Sequence, residues 1–208
     1  MSKTGVILLS GGLDSYVSLD LAVKEIEVKL ALTFNYGQAA FEEERDASEE
    51  IAKFYEIEHK IIELPFLAQI IDANEVWVPN RNGLFLNIAG CFADKFGYDY
   101  IIFGANKEEG LVFSDNSCEF LEIADNFLQF STKKGPKIYA PLKNLDKTEI
   151  VNLGIKNLLK FELLKSCYNP RKITGRKHCG GCSSCLLLKN ALAKSENKDL
   201  IKLLFIPE

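Results

Sequence analysis

The chain has no apolar run long enough to cross a bilayer and no signal-peptide pattern, because Met1-Ser2-Lys3 leads directly into the strand-like run Gly5-Val6-Ile7-Leu8-Leu9. A cytoplasmic protein with no membrane partner is expected. An excess of basic charge is also missing, since 25 Lys+Arg stand against 29 Asp+Glu for a formal net charge of -4. That balance argues against a stable nucleic-acid partner and leaves room only for a local basic patch around Arg171, Lys172, Arg176 and Lys177. Two familiar phosphate signatures are absent too. There is no G-x-x-x-x-G-K-[S/T] and no G-x-G-x-x-G. What remains is a 208-residue chain, 47% apolar and 26% charged, which can bury a core without staples as one domain or one domain with a small appendage. Its six cysteines, in a reducing compartment, point to thiols or metal ligands rather than disulfides.

The most informative stretch is Ser10-Gly11-Gly12-Leu13-Asp14-Ser15, between the first apolar run and a helix expected over residues 16–26. A buried strand that ends in small residues at a helix N-terminus turns several backbone N–H groups toward one point, where an anion is stabilised. The glycines let backbone approach a ligand, and the Ser10 and Ser15 hydroxyls suit phosphate oxygens. Asp14 would repel a phosphate unless a divalent cation such as Mg²⁺ stood between them. An ordinary β-to-α turn with Asp14 or Ser15 as N-cap fits the same letters.

Further along, Lys29-Leu30-Ala31-Leu32-Thr33-Phe34 completes a βαβ unit, and Asn35-Tyr36-Gly37-Gln38 is a polar turn in which Gly37 can take a positive φ. A helix is expected over residues 39–55, with its acidic residues 42–50 as a solvated face. Residues 59–64 read as a third strand, and 66–82 as a long loop. A helix over 84–96 carries Phe85, Ile88, Ala89, Phe92 and Phe96 inward and stops at Gly97. Tyr100-Ile101-Ile102-Phe103-Gly104 is apolar on both faces, as an interior parallel strand would be. A second long polar loop spans 105–117, a helix 118–131, and a strand 137–140. Asp146 and Glu149 have capping-box spacing at the start of another helix. Strands alternating with helices give a doubly wound, mostly parallel α/β sheet of Rossmann-like type, with ligands beyond the carboxyl ends of the strands.

Cys167, Cys179, Cys182 and Cys185 are spaced C-x11-C-x2-C-x2-C, which suffices for a closed tetrahedral zinc shell. An iron–sulfur cluster or a redox C-x-x-C pair would use the same letters. His178 is read as a neighbour of the metal shell or as solvent-exposed, and Cys91 and Cys118 as small buried residues.

Several separated stretches resemble the 7-cyano-7-deazaguanine synthase family. They are the turn at 10–15, Phe34-Asn35-Tyr36-Gly37-Gln38, Val78-Pro79-Asn80-Arg81-Asn82, Pro141-Leu142 with Lys147, and Ser166-Cys167-Tyr168-Asn169 with the three later cysteines. The resemblance implies the fold of the pyrophosphate-loop ligases (adenine nucleotide alpha hydrolase-like), as an ATP-binding domain over 1–165 and a zinc-binding segment over 166–208. It implies ATP-dependent conversion of 7-carboxy-7-deazaguanine and ammonia to the nitrile, through an adenylated carboxylate and an amide, with ATP, Mg²⁺ and a structural Zn²⁺ bound. A homodimer is implied as well. On this footing Ser10, Gly11, Gly12, Leu13, Asp14 and Ser15 hold the pyrophosphate and Phe34 and Gly104 border the nucleotide. Asp14, Lys147 and Arg81 carry the chemistry, while Tyr36, Gln38, Arg81, Glu109 and Asp115 face the deazaguanine.

The chain departs from the family in the loop after the fourth strand. There Asn116 and Ser117 replace a Cys-Arg pair, and Glu109 stands where Asp is usual. The departure admits a relative that attaches the activated deazaguanine carboxylate to a protein amine in an antiphage system. A zinc-stabilised module that binds nucleotide without turnover is the reading from outside enzymology, and intact Asp14 and Lys147 speak against it. tRNA thiolation is disfavoured because the cysteines are committed to metal.

Overall fold

A computed structural model describes residues 2–71, 77–169, 178–195 and 197–206. Five strands, β1 (Thr4–Leu8), β2 (Glu27–Asn35), β3 (Glu58–Glu63), β4 (Tyr100–Ile102) and β5 (Lys137–Tyr139), form one sheet in the order β3-β2-β1-β4-β5. Every pairing is parallel. Helices α1 (Leu13–Ala22), α2 (Phe41–Phe54), α3 (Arg81–Phe96), α4 (Lys107–Val112), α5 (Cys118–Ser131), α6 (Lys147–Lys156), α7 (Ser183–Lys194) and α8 (Lys198–Leu204) complete the described elements, with short 3₁₀ turns at Leu67–Gln69, Ser114–Asn116 and Phe161–Leu163. The doubly wound parallel architecture is the one the strand–helix alternation predicts. Strand order reverses between β1 and β4, and the carboxyl ends of those two strands leave a crevice there.

Because side chains alternate along a strand, the sheet divides two cores between its faces. Ile7, Leu9, Ala31 and Ile102 point to one side, where Leu13, Tyr16 and Val17 of α1, Ile150 and Val151 of α6 and Leu188 and Leu192 of α7 close over them. Val6, Leu8, Leu30, Leu32, Ile101 and Phe103 point to the other, against Phe85, Leu86, Ala89 and Ala93 of α3 and Leu121 and Leu128 of α5. Described residues beyond 166 take part in this packing. Cys167, Cys185, Leu204 and Phe205 belong to the first core together with β1 and α1.

Several expectations need correction. The stretch 105–117 is not an open loop, for it holds α4 and the Ser114–Asn116 turn, and Asn106 caps α4 by accepting from Glu109 N at 2.9 Å. Helix α3 begins at Arg81, three residues before the apolar stripe suggests. Its buried set is Asn82, Phe85, Leu86, Ala89, Gly90 and Ala93, so Cys91 falls on the outer face and is exposed. Phe96 lies past the sheet and stacks on Phe92 and Tyr98 at the surface. Cys118, at the first turn of α5, is only half-buried and faces Asn144. The basic patch at Arg171, Lys172, Arg176 and Lys177 lies outside the described residues.

Asp146 and Glu149 do form a reciprocal capping box, with Glu149 N donating to Asp146 Oδ1 at 2.9 Å and Asp146 N to Glu149 Oε2 at 2.8 Å. The cap fixes where α6 starts and thereby where Lys147 stands. Asp146→Ala is expected to lower unfolding free energy by about 1 kcal/mol, measured by urea titration, since the box satisfies two helix-end donors. An unchanged midpoint would mean that the packing of α6 alone sets its start.

Candidate active site

The crevice at the strand-order reversal is a cavity of about 230 Å³. It is walled by the ends of β1, β2 and β4, the turn at 10–15, the first turns of α2, α3 and α6, and residues 165, 166 and 168. Of the residues expected to bind ligand, Ser10, Gly12, Leu13, Asp14, Ser15, Phe34, Tyr36, Gln38, Arg81, Gly104, Glu109 and Lys147 all line it. Two do not. Gly11 turns away at φ +76 and packs on α2, where an added Cβ would meet Ala47 Cβ at 2.7 Å. Asp115 is buried behind the wall, its carboxylate accepting from Asn82 N at 3.4 Å at the N-terminus of α3. A carboxylate there complements the helix dipole, and the neighbouring Asn116 reaches the cavity instead.

Neither Asp14 nor Ser15 caps α1. Gly12 holds the N-cap position in extended backbone, without a side-chain cap. The Ser10 and Ser15 hydroxyls lie 3.2 Å apart, and Ser15 Oγ donates to Gly12 O at 3.1 Å. The turn is thus self-supporting, and the helix presents first-turn N–H groups to the cavity. Gly104 lines the cavity and also serves this turn. A Cβ at 104 would stand 2.9 Å from Ser15 N and 3.0 Å from the Asp14 carbonyl carbon. The end of β4 approaches the turn only because residue 104 has no side chain.

Lys147, at the first position of α6, reaches across to Asp14 on α1, with Nζ to Oδ2 at 2.7 Å and to Glu109 Oε1 at 3.4 Å. Burial works against the ammonium, but Asp14 and Glu109 more than offset it and hold Lys147 above the ordinary lysine range. For Asp14 burial dominates and pushes its carboxyl up, against the attraction of Lys147. Asp14 Oδ1 is buried with no hydrogen-bond partner. An orphaned carboxylate oxygen beside a phosphate-sized turn fits a hard divalent cation such as Mg²⁺.

At the opposite end Arg81 Nη1 donates to Tyr36 Oη at 3.1 Å, and Phe34 stacks on Phe85 with ring centroids 4.0 Å apart. Gln38 Nε2 bridges Phe34 O at 2.8 Å and a Glu44 carboxylate oxygen at 3.0 Å. Glu44 therefore contradicts the fully solvated acidic face expected of α2. Its carboxyl lines the cavity, and burial pushes it up to about 7 despite the Gln38 amide and Arg81. Helical periodicity hides such a residue, because an acidic run looks alike whether or not one member turns inward. Lys165, Ser166, Tyr168 and Asn116 also line the cavity without having been singled out as ligand contacts.

The four cysteine sulfurs all lie within 4.8 Å of one another, and Cys179 Sγ and Cys185 Sγ are 3.8 Å apart. That is the edge length of a tetrahedron with metal–sulfur bonds of about 2.3 Å, so the set fits a single ion. Gly181 N and Cys182 N each donate to Cys179 Sγ at 3.3 Å and, with Cys167 and Cys185, draw that thiol down to about 6 against burial. His178 is not solvent-exposed. It is fully buried, accepting from Ser166 N at Nε2 (2.9 Å) and meeting Leu204 O through Nδ1 (3.1 Å). Ser166 Oγ in turn accepts from Leu13 N at 3.2 Å, so the cysteine segment is bonded to the 10–15 turn.

The family model described as "Queuosine biosynthesis protein QueC" matches residues 4–74 and 72–196. The 7-cyano-7-deazaguanine synthase of Carboxydothermus hydrogenoformans is 41% identical, over 91% of this chain and 98% of its own. Among solved structures, a 4-thiouridine synthetase–RNA complex with bound ATP aligns over 97% of this chain and 52% of its own at TM-score 0.54 and 18% identity. The U34-tRNA thiolase NcsA from Methanococcus maripaludis with its [4Fe-4S] cluster aligns over 97% and 69% at TM-score 0.53 and 19% identity. At those identities the two structures bear on the fold alone.

A carboxyl whose folded-state value is raised favours folding at low pH, and that contribution is lost as pH rises through about 7. Glu44→Gln is therefore expected to be more stable than wild type by about 2 kcal/mol at about pH 8, a gap that closes below about pH 5. Urea titrations across that range measure it. A gap independent of pH would put the Glu44 carboxylate in water.

Proposed function

The chain belongs to the family of the queuosine biosynthesis protein QueC, and on that premise we propose that it converts 7-carboxy-7-deazaguanine and ammonia to 7-cyano-7-deazaguanine at the expense of ATP. The observation that carries this reading is the position of the buried Lys147–Asp14–Glu109 cluster, facing the 10–15 turn across one cavity. A carboxylate is a poor electrophile until one of its oxygens becomes a leaving group. Its attack on the α-phosphorus of ATP forms an acyl adenylate and releases pyrophosphate, whose growing charge the first-turn N–H groups of α1 stabilise. Ammonia then adds to the acyl carbon, AMP departs and an amide remains. A second ATP activates the amide oxygen in the same way, and loss of AMP and a proton leaves the nitrile.

In this scheme Lys147 keeps its charge throughout, because two carboxylates hold the ammonium. Asp14 would hold Mg²⁺ through its unpartnered oxygen, and the ion's chemistry is to neutralise phosphate charge. Arg81, bonded to Tyr36 Oη and lining the cavity, offers the rest of its guanidinium fork to the substrate carboxylate. Cys167, Cys179, Cys182 and Cys185 would hold a structural Zn²⁺, which would tie the cysteine ligands to the first core that Cys167, Cys185, Leu204 and Phe205 share.

Purified protein incubated with ATP, Mg²⁺, ammonium and 7-carboxy-7-deazaguanine is expected to yield the amide and then the nitrile by mass spectrometry. ATP consumed only with the deazaguanine but without nitrile would favour a protein amine as acceptor, and absence of AMP with any carboxylate would remove the enzymatic reading. Asp14→Ala is expected to lower AMP formation by at least about 100-fold while far-UV circular dichroism stays unchanged, since Glu109 still faces the Lys147 ammonium and keeps it partnered. Elemental analysis is expected to find about one zinc per chain; a fully active metal-free preparation would refute the structural zinc.

A further inference from the structure

Of the cations lining the cavity, two are already engaged. Lys147 lies against Asp14 and Glu109, and Arg81 is bonded to Tyr36 Oη. The third, Lys165, is 2% exposed and lines the cavity, and among the described residues its ammonium has neither a hydrogen bond nor an ion pair. Its backbone is bonded to the phosphate-type turn itself. Lys165 N donates to Gly11 O at 2.7 Å, Lys165 O lies 3.7 Å from where a Cβ on Gly12 would be, and the next residue supplies the hydroxyl that takes Leu13 N.

A lysine whose stem is buried and whose ammonium has no partner among the described residues, in the wall of a polar cavity, is placed to meet an anion that enters. The neighbouring groups specify which anion. Lys165 stands beside Gly11 and Gly12, where the first turn of α1 directs N–H groups outward, and Asp14, Glu44 and Glu109 make the rest of the cavity hostile to a second carboxylate without a cation of its own. We propose that Lys165 is the free phosphate-binding cation of this cavity and takes the terminal diphosphate of a nucleoside triphosphate. The assignment rests on the ATP reading above and adds to it a residue outside the 10–15 turn. It also gives the Lys165–Gly11 hydrogen bond a function, since the bond fixes the backbone of residue 165 beside the turn.

The test is calorimetric titration of wild type, Lys165→Met and Lys165→Arg with inorganic pyrophosphate, ATP and AMP, each with Mg²⁺, alongside thermal unfolding without ligand. Lys165→Met is expected to melt at or above the wild-type temperature without ligand, because the ammonium makes no hydrogen bond or ion pair among the described residues and Met keeps the buried stem packed. It is expected to bind pyrophosphate and ATP at least about 10-fold more weakly and AMP within about twofold, with Lys165→Arg recovering most of the loss. Pyrophosphate binding by Lys165→Met within about twofold of wild type would overturn the proposal. So would a Lys165→Met chain that melts lower or does not fold, since Lys165 would then be a packing residue. Wild type that binds pyrophosphate but not ATP, with the loss in Lys165→Met intact, would support Lys165 as an anion site and overturn the nucleotide reading alone.

Discussion

A buried charge pair joins residues 133 positions apart: Lys147 Nζ meets Asp14 Oδ2 at 2.7 Å, across the crevice where the sheet reverses its order. Neither partner tolerates burial alone, because an unpaired charge in that setting carries its full desolvation penalty. The pair therefore holds the N-termini of α1 and α6 on one cavity. Around it the other arrangements follow. Gly104 must lack a side chain so that β4 can approach the turn beneath Asp14, and the Asp146–Glu149 box must start α6 at Lys147.

The cysteine segment supports the same point from below. Lys165 N bonds Gly11 O, Ser166 Oγ takes Leu13 N, and His178 joins Ser166 to Leu204 near the end of the described chain. A metal that closes Cys167, Cys179, Cys182 and Cys185 into one unit would thereby stiffen the backbone under the phosphate-type turn. The C-terminal segment is structural in a particular sense: it acts on the geometry of the 10–15 turn as well as on the stability of the core.

Much of the fold was legible because its signals are local. Apolar runs such as Val6-Ile7-Leu8 and Ile101-Ile102, turn residues such as Gly97, and the Asp146–Glu149 spacing each depend on a few neighbouring letters. Much of the site was legible for a related reason: the 10–15 turn, Lys147 and the four cysteines are short motifs whose chemistry follows from residue type and spacing. Glu44, Lys165 and the true place of Asp115 were not legible. Each is decided by which side of a helix or turn meets the cavity, and a polar residue reads the same whether it faces water, a buried wall or a ligand.

By itself the sequence determined a parallel α/β sheet, a Gly-containing strand-to-helix turn at the end of its first strand, and a four-cysteine set able to close around one ion, because periodicity and spacing encode these directly. Only the tertiary structure decided that Gly104 makes room for the turn beside Asp14, that Gly11 packs on α2, that His178 is buried, and that Lys165 lines the cavity with no described partner for its ammonium. Those facts depend on the distance between segments far apart in the chain. Close packing sets that distance, and no local pattern carries it.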